Sequence, residues 1–360
     1  MKRQFVGVTL IAMALMASAA SAQAPRGMVS QTSVGGFYLW ADGSYQSINL
    51  PSVGNFGYRA QVFPSTNIVA NEKHDPRADG SGVKGAIGYR FRDGAFPISF
   101  GSNQRIELGG SYVKATGTSS ASNSNSDVNI QVFNLQGVNP IGTAGCGGST
   151  CSTPSTLSSD YQAWNIFLTG KSDFKSGALT LTPSLTFFAG KGRTQQGLAQ
   201  QLLADGAPYP PGAGGNTYNM DAALDWNDWG AMIGLDARYD VNAWLSFGLG
   251  GTAGWARRSA SLSASDSLRF PSDPRTFTSS VEETAAATPF VSNAEANVVL
   301  RPGRNMSIKG FVGLNYDSRV PGIAGVEIPP GAASGTQAQI KFESQTSYYA
   351  GGGVTVIFTP

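Results

Sequence analysis

The sequence predicts an all-β chain, a closed antiparallel up-and-down barrel of about ten strands that crosses a membrane. Three observations point there. Apolar residues recur at every second position in segments of about the 9 to 11 residues a tilted strand needs to cross a bilayer. The connections between these segments alternate between long and short. The chain also opens with an export leader.

In the leader, Lys2 and Arg3 precede an apolar run from Phe5 to Ala17, and cleavage sites follow at Ala20-Ser21-Ala22 and Ala22-Gln23-Ala24. The expected organisation is a signal peptide at 1–22 cleaved after Ala22 or Ala24, a short periplasmic segment at 23–33, and a barrel over 34–360. The leader is too short to span as a helix, and no other stretch approaches the roughly 20 apolar residues required, which excludes a helical membrane protein. Without Lys2 and Arg3, the 25 basic and 23 acidic residues become 23 of each, so net charge gives no pull toward nucleic acid or anionic membrane surfaces. Charged residues make up only 13% of the chain, roughly half the usual share of a soluble domain.

The first strand is expected over 34–48, with Phe37, Leu39, Ala41, Gly43 and Tyr45 on one face. The second, 83–91, carries Val83, Ile87, Tyr89 and Phe91; the third, 105–116, carries Ile106, Leu108 and Tyr112. Trp164, Ile166 and Leu168 mark a fourth at 160–171, and Leu179, Leu181, Leu185 and Phe187 a fifth at 178–190. The stretch GLDARYDVNAWLSFGLGGTAGW (234–255) reads as a hairpin, giving the sixth and seventh. The eighth runs over 289–300, the ninth over 307–317 and the last over 348–358. Twelve strands result if YRAQVFPSTNIVA or DVNIQVFNLQG also joins the sheet.

Long polar connections are expected at 49–82, 117–159, 191–227, 258–288 and 318–347, and short turns at RDGAFPISFGSN, KSDFKSG, DVNA and RPGRNM. Every second connection is therefore long, as in a barrel with short periplasmic turns and long extracellular loops. In lipid the sheet must close, because an open edge would leave backbone groups without partners. Cys146 and Cys151, in CGGSTC, read as a disulfide closing a small loop in an oxidising compartment.

The tail carries Gly353, then Val356 and Phe358 on one face, and this resembles the assembly signal of bacterial outer-membrane proteins, although Thr359 and Pro360 follow the aromatic residue. With the leader and the alternating loops, the chain resembles the Gram-negative outer-membrane β-barrel superfamily. The texture of DARYDVNAWLSFGLGG is similar to porin-like proteins such as the Legionella-type pore-forming family. The resemblance implies location in the outer membrane, with lipid, the barrel-assembly machinery and, for a pore, small solutes as partners; from the residues themselves no cofactor and no enzymatic activity are expected. Aromatic residues near strand ends, Tyr89, Phe91, Tyr239, Trp255, Tyr316, Tyr348 and Phe358, fit an interfacial girdle.

The opposite face of these strands holds Asp42, Lys84, Arg90, Glu107, Asp236, Arg238, Glu295, Lys309 and Asp317, which are expected to line the lumen. They serve either as structural ion pairs or as the lining of a narrow passage for small solutes. Lumen-side glycines, such as Gly248, Gly250, Gly313, Gly351 and Gly353, suit open space or curvature. The alternative functions are a structural or adhesive barrel with a plugged interior and, third, an omptin-like hydrolase using His74, the only histidine. In NEKHDPRADG that histidine reads as part of a solvated loop tip, with nothing placing a nucleophile against it. Asp221, Asp225 and Asp228 read as a solvated loop whose spacing is not that of a calcium loop, and no metal site is expected.

Overall fold

The computed structural model describes residues 35–358 apart from 55–56, 63–67, 71–72, 93–100, 123, 126–127, 139–142, 146–148, 210–214, 271–275, 304 and 327–333. The predicted leader and the segment that follows it fall outside the described residues, as does Cys146.

Ten antiparallel strands close into a ring. They are β1 (Gly36–Asn49), β2 (Arg77–Arg90), β3 (Ser102–Ala121), β4 (Ser155–Ser176), β5 (Leu179–Gln201), β6 (Thr217–Asp240), β7 (Leu245–Arg269), β8 (Phe290–Leu300), β9 (Met306–Ala324) and β10 (Gln339–Ile357). Each pairs with its neighbours in sequence, and β10 closes on β1 through Tyr38↔Ile357 to Ser47↔Tyr348. Both termini of the ring lie at the short-turn end. At that end Gly177 takes φ +60° between β4 and β5, a conformation that suits a residue without a Cβ. Between β6 and β7, the Asn242 side chain accepts hydrogen bonds from the backbone N–H of Trp244 and Leu245 (3.0 and 2.9 Å).

The outward face of the lower half is greasy and uncovered. Ile233, Leu249 and Leu108 are 70%, 66% and 65% exposed, where a water-facing surface would be polar. Aromatic residues bound this band on both sides. Phe37, Tyr239, Phe247 and Phe358 stand near the short-turn end; Tyr112, Trp164, Trp229, Trp255 and Tyr348 stand about eight to ten residues further along their strands. Trp255, Phe290 and Tyr316 pack in series, edge-on and then tilted, with ring centroids 5.6 and 6.4 Å apart. A belt with two aromatic borders is the outer surface of a barrel that spans a bilayer.

The strands do not stop at the belt. The predicted connections at 191–227 and 258–288 are largely strand: β5, β6 and β7 run 23, 24 and 25 residues, two to three times the length a membrane requires. Beyond the belt the alternation continues with its polarity reversed. On β7 the outward residues become Arg257, Ser259, Ser261, Ser263 and Ser265, while Leu262, Ala264 and Leu268 turn inward and are buried. Segment Thr276–Ala287 extends the line of β8 against this upper part of β7. The join falls at Pro289, whose missing N–H interrupts the strand while its carbonyl still accepts from Ala256 N–H.

The two segments that offered extra strands do not enter the ring. Gly57–Val62 pairs with Val128–Phe133 in a separate four-stranded sheet, and the ring stays at ten.

Candidate functional site: the lumen and its outer closure

In the belt, small and polar residues turn inward and the nine predicted lining residues share that face, but most of them are braced by partners. Lys309 Nζ lies 2.8 Å from Asp42 and 3.3 Å from Glu295, over the Phe311 ring at 4.5 Å. The Tyr349 hydroxyl lies 3.4 Å from Glu295. Glu107, buried, accepts from the Tyr38 hydroxyl at 2.7 Å and pairs with Lys171 at 2.9 Å. Arg238 shares Asp240 with Arg301 (3.3 and 3.1 Å). Arg105 joins Asp173 at 2.8 Å, and Thr182 donates to the same carboxylate at 2.8 Å. Arg90 sits at the short-turn rim, in register with Gly36 and Arg105.

The lumen glycines make room for neighbours rather than leaving space. The Tyr349 ring lies over Gly313, Phe311 over Gly351 and the Asp42 carboxylate over Gly353, each where a Cβ would collide. Gly353 thus faces inward, while Phe358 is exposed beside the outward belt, its N–H bonded to the Phe37 carbonyl.

Among the described residues three of the nine have no ion pair: Arg90 at the rim and, deeper in the ring, Lys84 and Asp236. Lys84 and Asp236 are exposed inside the ring, and among the described residues neither has an oppositely charged group within ion-pair distance. Lys84 Nζ lies near the rings of Phe167 and Trp40, at 5.2 and 5.8 Å. An unpaired charge at membrane depth requires water around it, so this part of the lumen is hydrated.

Where the belt ends, the lumen changes character. Arg258, only 4% exposed, holds Asp228 with two nitrogens (2.6 and 2.7 Å), Asp317 at 2.8 Å and the Arg319 carbonyl at 2.6 Å, tying β6, β7 and β9 together across the interior. Asp228 therefore lies inside, whereas Asp221 and Asp225 face outward from β6, on a strand and not on the expected loop.

Above Arg258 the interior is filled. Leu157, Leu198, Met220, Leu224, Leu262 and Leu268 from the wall pack against Val53, Val132, Phe133, Leu135 and Val326 from the long connections, all buried. Polar latches fix these connections to the wall. Asp266, itself buried, accepts from Leu135 N–H (2.7 Å), the Tyr218 hydroxyl (3.1 Å) and Ser279 N–H (3.0 Å). Glu343 accepts from Ser52 N–H at 3.0 Å. Cys151 belongs to the same apolar cluster and is disulfide-bonded.

His74 corrects the expectation of a solvated loop tip. It is 2% exposed, with Nε2 2.9 Å from Ser155 Oγ and Nδ1 3.3 Å from Ser119 Oγ, pinning the first long connection to β3 and β4. A hydroxyl therefore does stand against the ring, but Ser155 is buried with it, and its hydroxyl donates to the Ala121 carbonyl. The nearby carboxylates turn elsewhere: Asp75 pairs with Lys73 and Asp79 with Arg77. Burial holds the His74 pKa below its ordinary value, against smaller opposing pulls from a hydrogen bond with Ser119 and from Asp75.

Sequence reasoning found Asp42, Lys84, Glu107 and their peers by parity but missed Arg258, Asp228 and Asp266, which it placed in loops. The signal for Asp266 was LSASDSL at 262–268, which alternates as regularly as any belt segment.

No family model matches the chain, and no curated protein matches it significantly. Among solved structures it is similar to the outer membrane protease OmpT from Escherichia coli, at 12% identity over 89% of this chain and 97% of that one, with a TM-score of 0.41. It is also similar to outer membrane protein OprG from Pseudomonas aeruginosa (11% identity, 89% and 95% covered, TM-score 0.25). A FadL homologue from Pseudomonas aeruginosa matches at 11% identity, with 89% and 90% covered and a TM-score of 0.24. All three are outer-membrane β-barrel proteins; at these values the likeness carries no inference about activity, and no family or curated match supports the narrower Legionella-type group.

Proposed function

We propose that the protein is an outer-membrane channel for small solutes, narrow in bore and closed at its outer mouth by a docked plug of its own loops. The observation that supports conduction is the pair of unpaired, water-exposed charges, Lys84 and Asp236, inside the lipid-facing belt. A barrel that served only as a support would be more stable with those positions paired or apolar. Outer-membrane placement is supported by the export leader, the even strand count and the two aromatic borders. In this reading Asp42, Glu295 and Lys309 shape the passage as a fixed cluster, and Lys84 and Asp236 meet the solute.

The apolar packing of Phe133 and Leu135 above Arg258 favours a second reading, a permanently plugged barrel that acts through its surface. Planar-bilayer recording of the refolded protein separates the two. The wild-type protein is expected to be closed for most of the time, and Asp266→Ala, which frees Leu135 N–H from its latch, to raise the open fraction about tenfold or more, as the loss of a buried hydrogen bond to a charged group implies. Asp236→Asn should then shift the ion selectivity of the open state toward anions. Silence in the wild type, in Asp266→Ala and in Leu135→Asp alike would establish the plugged reading.

A further inference from the structure

Outside the barrel, strands β3 to β7 carry three chemical tiers stacked in the same order, and the opposite wall does not repeat them. The lowest is the belt, ending in Tyr112, Trp164, Trp229 and Trp255. Immediately above it, Lys114, Lys191, Arg193 and Arg257 all point outward and are exposed. The tiers interlock, since Lys191 is the cross-strand partner of Trp164, and Arg257 of Trp229. Its carboxylates are Asp225, 3.9 Å from Arg193, and Asp160, which accepts from the Gln162 amide at 3.1 Å, so four bases face two carboxylates in this tier. Above the bases lies a concavity of about 820 Å³, lined among others by Thr118, Ser158, Gln195, Asp221, Ser263 and Glu282. The interior at that height is packed, so the concavity opens outward. On the opposite wall the bases at comparable height are Arg77, spent on Asp79 at 3.4 Å and on the Ser47 hydroxyl, and Arg319, against four on this wall.

We propose that this wall binds an anionic glycolipid of the outer leaflet, its acyl chains along the belt, its phosphates on Lys114, Lys191, Arg193 and Arg257, and its sugars in the hydroxyl-lined concavity. Charge complementarity selects the occupant. Bases held at headgroup height by aromatic neighbours attract phosphate, and each contributes roughly 1 kcal/mol near an anionic surface, a factor of about five in affinity. A simple anionic phospholipid satisfies the bases but has nothing to place against Ser158, Gln195, Asp221 and Ser263; a row of hydroxyl, amide and carboxylate groups matches the donors and acceptors of a saccharide.

The inference rests on the outer-membrane reading, and the test keeps the two apart. Wild type and Lys114→Gln/Lys191→Gln/Arg193→Gln/Arg257→Gln are refolded into phosphatidylcholine bilayers, where the electrophoretic shift of the folded barrel reports insertion independently of any glycolipid. Retention of a bisphosphorylated diglucosamine lipid carrying a short oligosaccharide is then titrated by native mass spectrometry, beside its dephosphorylated form and phosphatidylglycerol. The wild type is expected to bind the phosphorylated glycolipid at least about tenfold more tightly than the other two lipids, and the quadruple variant to lose that margin. Ser263→Trp, which projects a bulky ring into the concavity and leaves the bases in place, should weaken binding of the oligosaccharide form but not of the same lipid without its oligosaccharide. Equal binding of phosphatidylglycerol, no binding at all, or full binding by the quadruple variant would overturn the proposal. If the quadruple variant fails to insert, Lys191→Gln/Arg257→Gln carries the same expectation at reduced size.

Discussion

The lower and upper halves of β7 are one continuous strand with opposite faces of grease. From Phe247 to Trp255 the apolar residues look outward while Gly248, Gly250 and Thr252 look in; from Arg257 to Ser267 the serines look outward while Leu262, Ala264 and Leu268 look in. Strand geometry is unchanged across the boundary, because alternation is a property of the pleat. What changes is the medium on each side. The lower half is a membrane protein, with lipid outside and water within; the upper half is built like a water-soluble β-barrel, with water outside and a packed core within. The contrast explains how one ring can hold a hydrated lumen and a sealed mouth: the seal forms where the inner face becomes apolar and gives the long connections something to dock against.

Arg258 stands at the height where the polarity reverses, and its substitution tests the boundary most severely. Arg258→Met is expected to lower stability by about 3 to 5 kcal/mol, since it strands Asp228 and Asp317 in a largely enclosed site. Urea unfolding in lipid vesicles measures the loss. The triple variant Arg258→Met/Asp228→Asn/Asp317→Asn should recover most of it. If the single variant is as stable as wild type, the ion cluster is not part of the joint between the halves.

A paired substitution on the outward face sharpens the contrast further. Leu249→Arg places a charge in the belt and should cost about 2 to 4 kcal/mol, as for Arg near a bilayer midplane. Ser263→Arg lies on the same face of the same strand above the belt, and there the cost should fall within about 0.5 kcal/mol. Equal costs at both positions would mean that the two halves share one medium.

The belt was legible because lipid demands apolar residues at every second position, and Leu179, Leu181, Leu185 and Phe187 display that demand openly. The lower strand ends, the turn parity and the inward face of the lining charges follow from the same rule. The upper half was not legible by it. Its outward serines, as at Ser259 to Ser267, resemble loop composition, and its inward apolar series is diluted by Ala260, Ala264 and Asp266. The pairing of Gly57–Val62 with Val128–Phe133 has no local signature either, since the segments belong to different connections and are separated in sequence by β2 and β3. His74 was misread for a related reason: charged neighbours made its segment look solvated, while the hydroxyls that bury it come from β3 and β4.

That histidine gives the smallest predicted effect, and it falls on the upper half alone. Burial depresses the His74 pKa, so the ring binds a proton less readily when docked than when released. Docking is therefore at full strength above the ordinary histidine value of about 6.5 and weakens as pH falls below it, because the released segment then binds the extra proton. Limited proteolysis of the connection between β1 and β2 should accelerate from pH 7.5 to pH 5.5, while the lipid-facing strands stay protected. His74→Gln, which has an amide in place of the titrating ring, should remove most of that dependence without loosening the lower ring. Proteolysis that rises equally in His74→Gln would assign the acid sensitivity to other groups, and a rate that does not change with pH in the wild type would mean that the ring's burial does not govern how firmly the connection is docked.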